Sequence, residues 1–213
     1  MFYLSQSLDF PHPSEADLDG LLAIGGDLSP ERLLSAYNAG IFPWYENNQP
    51  ILWWSPNPRM VLYPEKLKVS KSLQKIIKSE TFRVTFNTAF LEVIKNCATI
   101  NREGQGGTWI TSEMQKAYVD LHKLGYGFSV EVWCEQKLVG GLYGIDLPAK
   151  KVFCGESMFS LESNASKVGF FYLVLEMKKR GYKIIDCQLH TAHLESLGAQ
   201  EISRDYFLHL LDS

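Results

Sequence analysis

Two periods of apolar residues alternate along this chain, and they lay out its elements before anything else is known. In "KSLQKIIKSE" Leu73, Ile76 and Ile77 share one face at helical spacing, while Lys71, Lys75 and Lys78 share another. "TFRVTF" has a strand pattern and "TAFLEVIKNCATI" a helical one. A polar glycine-rich loop, "NREGQGG", leads into a helix predicted to start near Thr111 or Ser112 and to end at Gly125. "FSVEVWCEQ", "KLVGGLYGIDL" and "KVFCGESMF" follow as strands, the first two joined by a short polar turn and therefore antiparallel. Then come a long helix closed by Gly181, the strand "KIIDCQL", the short helix "TAHLESLG", and a final strand or helix in "AQEISRDYFLHLLDS".

The first 63 residues read differently, being dense in proline, glycine and aromatics. Ser29 before Pro30 is an N-cap with proline in the first helical turn, and Gly40 closes that helix. "IFPWYENNQPILWWSPNPRMVLY" is a proline-punctuated, strand-like stretch. Tyr63-Pro64 marks the expected boundary between a small α/β domain, 1–63, and a larger α+β domain, 64–213, with a mixed sheet flanked by helices.

Composition narrows the classes. The chain has 213 residues, 46% hydrophobic and 21% charged, as globular domains do. Its net charge of −3 argues against a strongly basic nucleic-acid binder. The charge is uneven, however: residues 1–63 carry two basic and seven acidic groups, and the rest 19 basic and 17 acidic. A local basic surface on the second part is therefore open. Four scattered cysteines without a C-x-x-C pair read as free thiols of a reducing compartment. No signal-peptide pattern and no run of 18 apolar residues occurs, so a cytoplasmic protein without membrane contact is expected.

Five constellations offer chemistry. Cys187 with His190 or His193 is a nucleophile pattern, but alternation turns Cys187 away from Asp186 and Gln188, and a small buried hydrophobe is the plainer reading. Two histidines at i and i+3 lack a third ligand at metal spacing, so no metal is expected. Asp186 and Gln188, two apart on a strand, are predicted to share a face at about 7 Å, where a carboxylate can orient a carboxamide. The polar face of an edge strand is the alternative. Glu156 in "FCGESMFS" sits among Phe153, Met158 and Phe159, either partnered in a site or exposed on a strand-end bulge. Most tryptophans are expected in the core, with Trp44 and Trp109 the best placed for stacking on a base.

Taken together and in order, "GLLAIGGDLSPERLLSAYNAGIFPWY", "PILWWSPNPRMVL", "GTWIT", "LVGGLYG", "FCGESMFS", "NASK" and "DCQ" closely resemble the motifs of the bacterial leucyl/phenylalanyl-tRNA–protein transferases. The resemblance implies a small N-terminal domain and a larger N-acetyltransferase-like domain. It implies transfer of Leu or Phe, and Met less well, from aminoacyl-tRNA to acceptor proteins with N-terminal Lys or Arg, marking them for N-end rule degradation. By the same resemblance Trp44 and Trp109 would hold the 3′-terminal adenosine. Leu142, Phe153, Gly155, Phe170 and Ile185 would line the donor side-chain pocket, with Phe171 and Leu173 flanking it. Glu156 and Ser157 would meet the donor's polar groups, and Asp186 with Gln188 would form the reaction centre. No cofactor is implied, and a monomer is expected. Some relatives have methionine where Leu142 stands, which bears on side-chain preference. An acceptor with a cationic N-terminal side chain calls for nearby acids, for which Glu156 and Asp186 are the candidates. On residues alone, a CoA-dependent N-acetyltransferase and a non-catalytic adaptor for basic N-termini remain open, although "ESNASKVGF" lacks the glycines of a pyrophosphate loop.

Overall fold

A computed structural model describes residues 2–100 and 108–213, so the expected loop "NREGQGG" lies outside the described residues. The N-terminal part contains β1 (Phe2–Leu4), β2 (Leu21–Gly25), α1 (Pro30–Asn38), β3 (Phe42–Pro43) and β4 (Leu52–Trp54). These strands form a four-stranded sheet in the order β1-β2-β4-β3. α1 starts as its sequence requires: Ser29 Oγ accepts the Arg32 backbone N–H, and Pro30 occupies the first turn, where its missing N–H costs nothing. Its buried face carries Leu33, Ala36 and Tyr37, and Gly40 leaves the helix at φ 76°.

The next strand, β5 (Arg59–Leu62), pairs outside that sheet. It belongs to a seven-stranded sheet with β6 (Arg83–Phe86), β7 (Gly127–Cys134), β8 (Lys137–Leu147), β9 (Val152–Ser160), β10 (Ile184–Gln188) and β11 (Gln200–Ile202). The order is β11-β5-β10-β9-β8-β7-β6. Thus a strand from the proline-rich N-terminal stretch lies inside the large sheet, held by β10 on one side and β11 on the other. The helices are α2 (Lys71–Lys78), α3 (Phe90–Thr99), α4 (Ser112–Lys123), α5 (Ala165–Lys179), α6 (Ala192–Ser196) and α7 (Arg204–Asp212). The expected α+β order holds throughout this part, and the chain ends with both a strand and a helix.

Strand alternation sorts the core into two faces. Val61, Tyr143, Ile145, Val152, Cys154 and Ile184 face α3, α4 and the N-terminal part. Their neighbours Met60, Leu62, Leu142, Phe153 and Ile185 face α5. Among the described residues β9 and β10 are the one parallel pair of the large sheet, and α5 makes the crossover that parallel neighbours need. Their pairing runs from Ile184↔Val152 to Asp186↔Cys154 and stops there. Past that point the two strands separate, and a gap opens between residues 155–158 and 187–189.

Two β-bulges sit at this fork. On β9, Ser157 opposes Tyr143 and Gly155 opposes Gly144, so Glu156 is the extra residue. On β10, Asp186 opposes Val61 and Gln188 opposes Met60, so Cys187 is extra. A bulge bends its strand and re-aims side chains. Two glycines nearby serve opposite ends. A Cβ at Gly144 would lie 2.2 Å from the Cys154 carbonyl oxygen and 2.6 Å from the Phe153 ring, whereas one at Gly155 would meet only the Asp186 carbonyl, at 3.6 Å. Gly144→Ala is therefore expected to destabilise the fold by about 3 kcal/mol, and Gly155→Ala by about 0.5 kcal/mol or less, in denaturant unfolding. Equal stability of the two variants would show that the bulge relaxes freely.

Candidate active site

The fork between β9 and β10 is the floor of a cavity of about 400 Å³, a volume suited to a small organic group. One wall is apolar, with Leu142, Met158, Phe170, Leu173 and Ile185. Another carries Trp44 and Trp109, together with Phe42 and Pro43. Gly155, Glu156, Ser157, Cys187 and Gln188 form the floor, and Leu189, Thr191, His193 and Leu194 close the side toward α6. Trp44 is 38% exposed, whereas Trp53 is fully buried, with Nε1 donating to the Gly25 carbonyl at 2.8 Å. The same local sequence thus divides its tryptophans between core and cavity rim.

Of the expected site residues, Trp44, Trp109, Leu142, Gly155, Glu156, Ser157, Phe170, Ile185 and Gln188 converge on this cavity. Phe153 and Asp186 do not line it. Phe153 is fully buried behind the wall, edge-on to Phe128 at 5.9 Å. Asp186 is fully buried too, and its carboxylate takes two hydrogen bonds from Arg59: Nε to Oδ1 at 2.8 Å and Nη2 to Oδ2 at 2.7 Å. The Arg59 guanidinium lies 4.9 Å from the Phe42 ring centre and 4.5 Å from that of Phe207.

Simple alternation placed Asp186 and Gln188 on one face with Cys187 on the other. The structure corrects this: Ile185, Cys187 and Gln188 all line the cavity and Asp186 does not. The bulge at Cys187 and a left-handed backbone at Gln188, φ 64°, break the period-two pattern. That conformation is unfavourable for a residue with a Cβ, and Asp186 supports it, its Oδ1 accepting the Gln188 backbone N–H at 3.0 Å. Asp186 therefore orients Gln188 through the main chain and makes no hydrogen bond to the carboxamide.

The carboxamide has a different anchor. Gln188 Nε2 donates to Glu156 Oε1 at 2.8 Å, and Tyr118 Oη donates to Glu156 Oε2 at 2.9 Å. Tyr37 Oη lies 2.5 Å from Tyr118 Oη. Enclosure in protein lifts the Glu156 carboxyl to about 7, with Asp186's charge adding to the rise, while the hydrogen bonds from the tyrosines and Gln188 pull it down. Tyr37 and Arg59 lie within motif blocks and Tyr118 outside them, but no local pattern assigned any of the three a role, each being far along the chain from its partner.

The other constellations resolve plainly. Burial pushes the Cys187 thiol up, and its sulfur contacts the Ile185 carbonyl at 3.7 Å, so it is no thiolate. His190 pairs with Glu195 at the surface, 3.1 Å apart. His193, set aside on sequence, lines the cavity, and burial with Lys167's charge lowers its pKa. Among the described residues no three or more His, Cys, Asp or Glu side chains gather as metal ligands. Of the cations in "KKRGYK", Lys178 pairs with Glu65, Arg180 with Asp146, and Lys183 with the Ser213 hydroxyl. Lys71, Lys75 and Lys78 stay exposed on α2. Removing one member of the buried ion pair strands the other charge, so Arg59→Ala is expected to cost about 3–5 kcal/mol in urea unfolding. A cost under about 1 kcal/mol would mean that water reaches Asp186.

Comparison with known proteins shows the family. A family model described as leucyl/phenylalanyl-tRNA protein transferase matches residues 61–212, and the model of that family's N-terminal domain matches residues 26–57. A leucyl/phenylalanyl-tRNA–protein transferase from Flavobacterium johnsoniae is 58% identical, over all of both chains. Those from Christiangramia forsetii and Maridesulfovibrio salexigens are 57% and 59% identical, covering 99% and 95% of this chain and 100% and 84% of their own. Solved structures are more distant. L-PGS from Bacillus licheniformis aligns with TM-score 0.44 and 12% identity, over 80% of this chain and 54% of that one. A GCN5-related N-acetyltransferase from Kribbella flavida aligns with TM-score 0.41 and 9% identity, over 80% and 60%. With both family models in register and relatives alike from end to end, the chain belongs to the leucyl/phenylalanyl-tRNA–protein transferase family.

Proposed function

We propose that this enzyme moves leucine or phenylalanine, and methionine less well, from aminoacyl-tRNA onto proteins bearing N-terminal lysine or arginine. The product would enter N-end rule degradation, and the enzyme would act as a cytoplasmic monomer without a cofactor. Among the described residues no helix is long and apolar enough to cross a membrane. The observation that carries the reading is one cavity joining an apolar wall, two tryptophans and a carboxylate-anchored carboxamide. Trp44 and Trp109 take the terminal adenosine by stacking. Leu142, Met158, Phe170, Leu173 and Ile185 take the donor side chain, Met158 supplying a flexible thioether beside Leu142. Gly155 leaves open the space where the aminoacyl group lies.

The chemistry is aminolysis of an ester. The acceptor's neutral α-amine attacks the aminoacyl carbonyl, a C–N bond forms, and the bond to the ribose oxygen breaks. An α-amine of pKa about 7.7–8.0 is partly neutral near pH 7. With Nε2 of Gln188 committed to ionised Glu156, its Oε1 is the free acceptor that receives an N–H of the attacking amine. A carboxamide is a poor base, so the departing ribose oxygen is the natural final holder of the proton, and orientation contributes much of the rate. Asp186, doubly bound by Arg59, serves as a positioning residue. Its charge is already balanced, which leaves Glu156 as the acid that faces a cationic substrate. Each Glu156 oxygen keeps a second lone pair for the donor's ammonium.

The direct test is transfer of labelled Phe or Leu from tRNA to a protein with N-terminal Arg, under single turnover. Gln188→Ala is expected to lower the rate about 100-fold, and absence of transfer by the parent enzyme would overturn the assignment. With both substrates saturating, the rate is expected to rise with pH through about 7, as Glu156 ionises and fixes the Gln188 amide. Glu156→Gln should remove the component near 7 and leave only the rise of the acceptor amine at higher pH, and an unchanged profile would move the titration to another group.

A further inference from the structure

Tyr37 and Tyr118 do not line the cavity, yet Tyr118, with Tyr37 behind it, is bonded to Glu156 on its floor. Tyr37 comes from α1 and is 1% exposed, and Tyr118 comes from α4 and is fully buried. Packing alone would be met by phenylalanine. The Tyr118 ring already sits edge-on to Tyr143, with centres 5.5 Å apart, within the apolar core. A buried hydroxyl costs free energy unless it is bonded, and here both hydroxyls donate toward Glu156.

The proton count gives that row of bonds a polarity. A phenol has one hydrogen. Tyr118 spends its own on Glu156 Oε2, so the hydrogen in the 2.5 Å contact comes from Tyr37. The row reads Tyr37 to Tyr118 to Glu156, with Gln188 Nε2 donating to Glu156 from the other end. Donors reach Glu156 from both sides, which favours the ionised acceptor. An ionised Glu156 in turn holds the carboxamide with its carbonyl oxygen toward the substrate. A protonated Glu156 can donate instead, and the amide then turns its NH2 inward, where it offers the attacking amine no acceptor.

We propose that Tyr118, and behind it Tyr37, are positioning residues of the transfer reaction, fixing the carboxylate of Glu156 and thereby which end of the Gln188 amide faces the substrate. The proposal rests on the site reading above. It gives the N-terminal part an indirect share in the reaction, because α1 supplies the outer member of the row. The titratable and charged groups around Glu156 are Tyr37 on α1, Tyr118 on α4, Tyr143 on β8, Cys154 on β9, and Asp186 on β10 with its partner Arg59 on β5. Both tyrosines are held protonated, since burial and then Glu156's charge push their hydroxyls well above the ordinary phenol range.

The test removes hydroxyls and keeps rings. Tyr118→Phe is expected to lower kcat about 10-fold at neutral pH with the donor KM within about 2-fold. Its ascending pH limb should move to higher pH, so that the rate recovers in alkaline solution. Tyr37→Phe should move the limb the same way. Combined with Glu156→Gln, neither change should alter the pH profile. A rate loss uniform across pH, or a limb that does not move, overturns the proposal and leaves the tyrosines structural. Carbon-13 NMR of the Glu156 carboxyl gives a readout independent of turnover: its titration should shift upward in Tyr37→Phe even if Tyr118→Phe folds poorly, and an unmoved titration overturns the proposal. Parent-like transfer by Gln188→Ala and Glu156→Gln would instead sink the underlying site reading.

Discussion

The buried pair of Arg59 and Asp186 is the constraint around which the rest is arranged. It joins β5 to β10, two strands more than a hundred residues apart in sequence, through two short charge-assisted hydrogen bonds. Phe42 from the small sheet and Phe207 from the last helix enclose the guanidinium. Four separate parts of the chain therefore meet on one ion pair. A buried pair of this kind gains little net free energy over an apolar substitute. Its value lies in geometry, because the carboxylate that Arg59 holds also grips the backbone of Gln188 in its left-handed turn.

From that anchor the site follows in two steps. Asp186 shapes the main chain, and Glu156 shapes the side chain. Each works at a bulge, where the ladder between neighbouring strands skips one residue. A regular sheet would have sent Glu156 and Gln188 to places dictated by the period of two. Bulges at the parting of β9 and β10 bring them within hydrogen-bonding distance and leave an opening between the strands, so the cavity and its polar floor have the same origin.

The division of the tryptophans shows how the N-terminal part serves the large sheet. Trp53 packs on Phe10 with ring centres 4.9 Å apart and holds the small sheet. Trp54 donates Nε1 to the Trp44 carbonyl at 2.7 Å, steadying the residue that stands at the cavity mouth. α1 contributes Tyr37 to the row that ends at Glu156. The N-terminal part thus contributes one exposed tryptophan and one buried hydroxyl to a cavity whose floor lies in the large sheet.

Much of this was legible in the residue order because it depends on local physics. Helical and strand periods placed the elements, Ser29 caps the helix it was expected to cap and the helix expected from Thr111 or Ser112 begins at Ser112, and the motif blocks identified the family and most of the residues that line the cavity. Phe153 and Asp186 were recognised as important but not as buried supports, since a motif says that a residue matters and not which way it faces. The bulges could not be read at all: a bulge is a mismatch between two strands, and a single strand's sequence carries no record of its partner's register. The roles of Arg59, Tyr37 and Tyr118 were unreadable for the same reason. Each acts on a residue many positions away, and only the closed sheet with α1 and α4 laid against it brings them together.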